Sequence, residues 1–279
     1  MSAVLTPAAP APAPARVPAL RVTQRRVLLS EFTKFRSLRS TMWTLLAAVV
    51  LMIGLGALFS AVTASQYHTF NWAEKAAFNP VTTSLNGVIF AVVAVGVLGV
   101  LVTGGEYSTG MIRASLTAVP RRLPVLWGKL AVFAGSILPV SLAASFLSFF
   151  AGQALLSSDH LGVPVTAHDG LRSVTGAALY VTVAGLIGVA LGALLRHTAA
   201  GITTFAAVFF VLPLLATLLP ASIGDHLAPY LPSNAGGALW GGAAHLPNAL
   251  SPWTGFALLC GYAAVLIGAA GWRLRRADA

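Results

Sequence analysis

Six long apolar runs without a charged side chain limit most strongly how this chain can fold. They extend over 41–64, 85–103, 130–156, 175–195, 199–219 and 252–272. Each is close to the roughly 20 residues that a helix needs to cross the hydrocarbon core of a bilayer. The sequence therefore predicts an all-α membrane protein with six transmembrane helices.

The composition of the 279 residues agrees with this fold class. Hydrophobic residues make up 57% of the chain and charged residues only 9%, and the mean hydropathy is +0.83. Charged residues amount to about a quarter of an ordinary soluble domain. These values exclude a soluble globular protein.

The loops carry almost all of the charge, and their Lys and Arg residues predict the topology. All but two of the 17 basic residues fall on one side of the six runs, and Lys75 and Arg172 are the two on the other side. By the positive-inside rule, both termini are expected in the cytoplasm. The net charge of +10 favours anionic membrane lipid as a partner over nucleic acid, because no stacking aromatics lie between the basic residues.

The N-terminal part divides into two segments before the first run. Residues 1–20 are rich in Ala and Pro and are expected to form a disordered tail, followed by one membrane domain over 21–279. Within 22–39, Leu28, Phe32, Phe35 and Leu38 recur at helical spacing, with Glu31 and the basic residues largely on other faces. This pattern predicts an amphipathic helix lying in the membrane interface. The alternative is a charged lead-in that only sets the topology.

No residue pattern in the chain indicates chemistry of its own. The runs contain no ionisable group of the kind that ion-coupled carriers use at membrane depth. His160, His168 and Asp169 share an outer loop but match no metal-ligand spacing. Gly128 and Lys129 are followed by Leu130, so no phosphate-binding loop is present. We therefore expect no catalytic residue, metal or cofactor in this chain, and not an enzyme.

The polar segment 104–129, between the second and third runs, is the best candidate for a functional element. Met111, Ile112, Leu116 and Val119 share one helical face, and Pro120 ends the pattern. This predicts a short cytoplasmic helix under the membrane. The alternative is an ordinary basic loop that lies on the cytoplasmic side only because of its positive charge.

The same segment resembles the second intracellular loop of type-2 ATP-binding-cassette (ABC) exporter permeases. In that family an acidic residue ends span two, and a Gly, a short apolar helix, a Pro and a basic residue follow. The matching positions here are Glu106, Gly110, 112–116, Pro120 and Lys129. Segments 30–44, 193–203 and 220–251 are similar to the family's interfacial helix, tight cytoplasmic turn and outer helices. The importer loop pattern, EAA followed by a distant Gly, is missing, which favours export.

This resemblance implies a permease subunit that moves a hydrophobic or amphiphilic substrate outward. The implied partners are a separate cytoplasmic ATPase, which binds the ATP, and a second permease subunit, either identical or a sister chain. The implied ATPase-coupling residues are Glu106, Gly110, Met111, Ile112, Arg113, Leu116, Pro120, Arg121 and Arg122. Arg113, Arg121, Arg122 or a basic residue of the ATPase is the expected partner of Glu106. A non-transporting interaction or immunity protein of the same fold, and an enzyme acting on lipids, remain alternatives.

Small residues within the spans have two interpretations. Ser141, Ser145 and Ser148 lie on one face of span three and are candidates for lining a transport pathway, although helix packing is the more common role of such a stripe. Gly185, Gly188 and Gly192 in span four are expected to be positions of close helix approach.

Overall fold

The computed structural model describes residues 23–108, 110–111, 123–167 and 169–276. It is 85% helical, and the described residues contain no strand. The predicted tail over 1–20 and the predicted coupling helix beyond Met111, over 112–122, lie outside the described residues. The helices are α1 (Gln24–Ser37), α2 (Arg39–Gln66), α3 (Trp72–Ala77), α4 (Pro80–Leu85), α5 (Val88–Ser108), α6 (Leu123–Leu156), α7 (Gly170–Leu195), α8 (Thr198–Ala206), α9 (Leu212–Ala216), α10 (Ala221–Leu227), α11 (Pro232–Trp240) and α12 (Pro252–Arg276).

Six helical segments in this part of the chain are long and apolar enough to cross a membrane. They are Arg39–Thr69, Pro80–Ser108, Leu123–Asp159, Gly170–Leu195, Thr198–Ala216 and Pro252–Arg276. The prediction of six apolar helices is therefore confirmed. By the length and composition of these helices, the chain is an integral membrane protein.

The second and third spans differ from the prediction in ways that bear on the polar segment between them. The second span is interrupted, because α4 ends at Leu85 and α5 begins at Val88. Asn79 starts α4 by accepting hydrogen bonds from the amides of Val81 and Thr82. The third span starts seven residues earlier than predicted, at Leu123 instead of 130, so Lys129 lies in the second turn of α6 and not at its rim.

Helix α7 is the most buried of the six spans and packs most extensively against α5. Glycines allow the two backbones to approach closely. A Cβ atom on Gly188 would collide with the carbonyl oxygen of Gly96, and one on Gly192 would collide with the Thr103 hydroxyl. Thr103 Oγ1 also donates a hydrogen bond of 2.9 Å to the Val189 carbonyl across this contact. The prediction of close approach at the α7 glycines is confirmed, and α5 and α7 pack in close contact.

Replacing Gly188 by Ala should destabilise the fold, because the added methyl group meets backbone that cannot rotate away. Overpacking of this kind costs about 1–3 kcal/mol. The matched control is Gly268→Ala in α12, where nothing lies within 4 Å of the added Cβ. Unfolding in detergent, followed by tryptophan fluorescence, should separate the two variants. Equal stability of both would contradict the close contact.

The fifth span is not a regular α-helix throughout. The fifth span contains one π-helical turn, Ala207–Val211, directly before Pro213. Such a turn accommodates a proline, which has no N–H and whose ring displaces the preceding carbonyl.

The predicted outer segment 220–251 contains the short helices α10 and α11, and α11 is buried against α7 and α12.

The described basic residues gather mainly at one end of the bundle. Arg273 donates to the Leu194 carbonyl at the end of α7, and the Arg196 guanidinium lies 5.3 Å from the centre of the Tyr107 ring at the end of α5. Arg172 lies at the opposite end of α7, where it donates to the Leu239 carbonyl. The bundle thus has a basic end and an opposite end, as the charge pattern predicts, and the cytoplasmic location of the basic end stays a prediction.

Candidate functional site

A buried charge cluster joins three helices at the basic end. It consists of Glu31 and Lys34 of α1, Glu106 near the end of α5 and Lys129 near the start of α6. Lys129 Nζ donates to Glu31 Oε2 at 2.7 Å and to Glu106 Oε1 at 2.6 Å. Lys34 Nζ donates to Glu31 Oε1 at 2.8 Å and to Glu106 Oε1 at 3.3 Å. Two carboxylates and two ammonium groups therefore form one closed network.

The cluster is removed from solvent to an unusual degree for charged groups. The exposed fraction of the side chain is 4% for Lys129, 6% for Glu31 and 10% for Glu106, whereas Lys34 keeps 32%. Desolvating charges is costly unless each is paired and hydrogen bonded. Here two positive and two negative groups balance, so the network as a whole is neutral.

Helix α1 supplies its half of the cluster because Glu31 lies on its buried face. Val27, Glu31 and Phe35 follow at intervals of four residues and are the buried residues of α1. The Phe35 ring packs edge-on against Phe133 of α6, with ring centres 6.2 Å apart. The expectation that Glu31 lies on another face of the helix is wrong, since a lysine of α6 satisfies its carboxylate. Exposed Phe32 and Leu38 lie away from this contact.

Lys34 joins the cluster from its accessible side. Burial alone would lower the pKa of this ammonium, but the hydrogen bond to Glu31 and the negative charge of Glu106 outweigh it and raise the pKa above its usual value. Lys34 therefore remains cationic at neutral pH. Its stabilising charge would be lost only as the pH rises above the ordinary range of a lysine.

The described partners of Glu106 are two lysines. Glu106 pairs with Lys129 and Lys34 through Oε1, and the expected arginines at 113, 121 and 122 lie outside the described residues. Its second oxygen, Oε2, is buried and has no hydrogen-bond partner in the described part of the chain. An orphaned carboxylate oxygen in a buried site is costly.

The predicted coupling segment begins directly after the cluster. Gly110 has a positive φ of 73°, a conformation that favours glycine, and its amide donates to the Tyr107 carbonyl at 3.3 Å. Met111 follows with 47% of its surface exposed. The remaining predicted coupling residues, Ile112, Arg113, Leu116, Pro120, Arg121 and Arg122, lie outside the described residues.

The serine stripe of span three lies in a helix–helix contact within the single chain. Ser148 Oγ donates to the Ser84 carbonyl at 2.7 Å and to the Met52 carbonyl at 3.1 Å, whereas Ser145 Oγ donates to the Ser141 carbonyl of its own helix. All three serines are at most 5% exposed. These contacts fix α6 against α2 and α4. A role of the serines in a pathway stays a prediction.

Sequence reasoning missed the contribution of α1 to this site. Glu31 and Lys34 were expected only as parts of an interfacial helix. One available signal was their spacing of three residues, which places an acid and a base side by side on a helix. Another was the position of Glu31 four residues before Phe35, which places the acid on the apolar face.

Fold and site together define an all-helical integral membrane protein whose first helix is held by buried charges to the two ends of its main polar loop. No protein-family model matches the chain, and no curated protein shows a significant match to it.

Proposed function

We propose that the chain is the membrane-spanning permease subunit of an ABC-type exporter, driven by a separate cytoplasmic ATPase. The charge cluster is the observation that carries this proposal. It lies where a polar loop of the predicted cytoplasmic side leaves the second span and enters the third, and it binds both ends of that loop to α1.

The cluster gives the loop a mechanical connection to the bundle. Lys129 connects the start of α6 to Glu106 at the end of α5 and to Glu31 of α1, with donor–acceptor distances of 2.7 Å or less. A displacement of the loop therefore moves three helices together and not one helix end alone. The glycine contacts between α5 and α7 extend this connection to the central helix.

In this proposal the ATPase docks on the segment around 110–120 and its closure on ATP displaces that segment. ATP belongs to the partner, and the permease contributes no cofactor. Two permease subunits, identical or sister chains, enclose the pathway in the bacterial cytoplasmic membrane, with both termini in the cytoplasm. The substrate is a hydrophobic or amphiphilic molecule that moves outward.

Purification with partners tests this assignment. The chain carries an affinity tag at its C terminus, and membranes of the cells that make it are solubilised in a mild detergent. We expect an ATP-binding protein to co-purify in near-equal amount, with ATP hydrolysis that falls when the permease is removed. A chain that purifies repeatedly without any ATPase contradicts the proposal and favours an interaction protein. Turnover of added phospholipid by the purified chain alone would favour a lipid enzyme.

A further inference from the structure

A cleft of about 400 Å³ opens beside the charge cluster, between α1, α2, α5 and α6. Its inner end is polar and includes Glu106, Lys34 and Thr41, whereas its walls include the apolar residues Leu38 and Leu101. Clefts of roughly 300–1,000 Å³ are the usual size of small-molecule sites in proteins. The cleft is therefore large enough for the headgroup of an amphiphile.

One polar group in this lining lacks a hydrogen-bond partner within the described residues. It is Glu106 Oε2, on a residue that is 9% exposed. Buried polar groups are normally hydrogen bonded, because an unsatisfied group costs about 1–3 kcal/mol. An unsatisfied carboxylate oxygen on a residue that lines a cleft indicates a ligand that supplies a hydrogen-bond donor there. Thr41, only 2% exposed, lines the same cleft and carries a hydroxyl that can accept a hydrogen bond.

The exposed apolar residues that line the cleft indicate that the ligand also has an apolar part. Leu38 and Leu101 line the cleft and are 51% and 38% exposed, and Leu101 lies within the second span. A ligand at the mouth of the cleft therefore lies against hydrocarbon, while its polar end reaches the cluster. The partly exposed Lys34 places a positive charge beside the same polar end.

We propose that this cleft binds a phospholipid whose zwitterionic headgroup carries a primary ammonium. The ammonium donates to the Glu106 carboxylate and to the Thr41 hydroxyl, and the phosphate lies in the field of the Lys34 ammonium. The acyl chains leave along Leu38 and Leu101 into the bilayer. A quaternary ammonium has no N–H and cannot satisfy Glu106 in this way. The inference concerns binding alone and does not rest on the proposed transport function.

Native mass spectrometry of the detergent-solubilised full chain tests the site with three probes that share the same acyl chains. These are phosphatidylethanolamine, phosphatidylcholine and phosphatidylglycerol. We expect the ethanolamine lipid to bind roughly tenfold more tightly than the choline lipid, as the gain of a charged hydrogen bond implies. Equal binding of these two lipids, or tighter binding of the glycerol lipid, would overturn the proposal.

Variants locate the binding in the cleft. Glu106→Gln should remove the preference for the ethanolamine lipid, and Thr41→Val should weaken that preference without altering the cluster. Leu101→Trp fills the cleft and should reduce binding of every probe, whereas Leu147→Trp, at a 55% exposed leucine elsewhere, should not. The Leu101 and Thr41 variants keep the test valid if Glu106→Gln folds poorly. If Leu101→Trp binds lipid as the Leu147→Trp control does, the cleft is not the site.

Discussion

Lys129→Met is expected to cost about 3–5 kcal/mol of unfolding free energy, the range found when one partner of a buried ion pair is removed. Lys129 is 4% exposed and hydrogen bonds to both carboxylates of the cluster. Methionine fills a similar volume but leaves Glu31 and Glu106 buried with only the more exposed Lys34 between them. Titration with a denaturing detergent, followed by tryptophan fluorescence, measures the change.

The other lysines provide matched controls for this prediction. Lys34→Met should cost less, because its side chain is 32% exposed and water screens what remains. Lys75→Met, at the end of the bundle opposite the basic end, should leave the stability close to wild type. Adding Glu106→Gln to Lys129→Met should restore much of the loss, since Glu31 and Lys34 then remain as one paired carboxylate and ammonium. A Lys129→Met protein as stable as wild type would show that the cluster does not hold α1 to the loop ends.

The second large effect concerns coupling in the assembled complex of permease and ATPase. Glu106→Ala together with Arg121→Glu and Arg122→Glu should leave ATP hydrolysis in place and reduce export of a fluorescent amphiphile by at least about tenfold. The substitutions remove the attachment of α5 to α1 and α6 and reverse the charge at the end of the proposed docking segment. The expected loss corresponds to about 1.4 kcal/mol or more of coupling free energy.

A control variant in which two other arginines are changed to glutamate separates the loss of coupling from the effect of net charge. Arg275→Glu and Arg276→Glu change two charges by the same amount on exposed residues at the basic end of α12. This control should insert, assemble and export normally. Size-exclusion chromatography with the ATPase establishes assembly of both proteins. Normal export by an assembled Glu106, Arg121 and Arg122 variant would mean that the coupling assignment is wrong.

The sequence was sufficient for the architecture because the bilayer imposes it. A helix must be apolar over about 20 residues to cross the hydrocarbon core of a bilayer, so the six spans appear in the sequence as six apolar runs. Close approach at Gly188 was equally predictable, since small residues are what allow helices to meet in a membrane. The break between Leu85 and Val88 was not predictable. Asn86 and Gly87 lie between apolar residues, and their turn depends on contact with α2.

The partners within the charge cluster could not be assigned from the sequence. Glu31 and Lys129 are 98 positions apart, and no local pattern indicates that a lysine in one helix turns toward an acid in another. The apparent rim position of Lys129 also concealed its role, because α6 begins earlier than the apolar run does. Charges near span ends are normally assigned to topology, and only the packing of the helices shows that three of them are buried and joined to the partly exposed Lys34.

Site-specific photocrosslinking from Met111 tests the central claim most directly. Met111 is 47% exposed and directly follows the cluster at the start of the proposed docking segment. A photoreactive phenylalanine analogue at this position should crosslink an ATP-binding protein in native membranes, with a yield that changes when a non-hydrolysable ATP analogue is added. The same analogue at Leu218, 77% exposed near the end of the bundle opposite the basic end, should not crosslink that protein. Crosslinks from Met111 only to lipid or to a second copy of the chain, in membranes where the tagged chain is intact, would contradict the account.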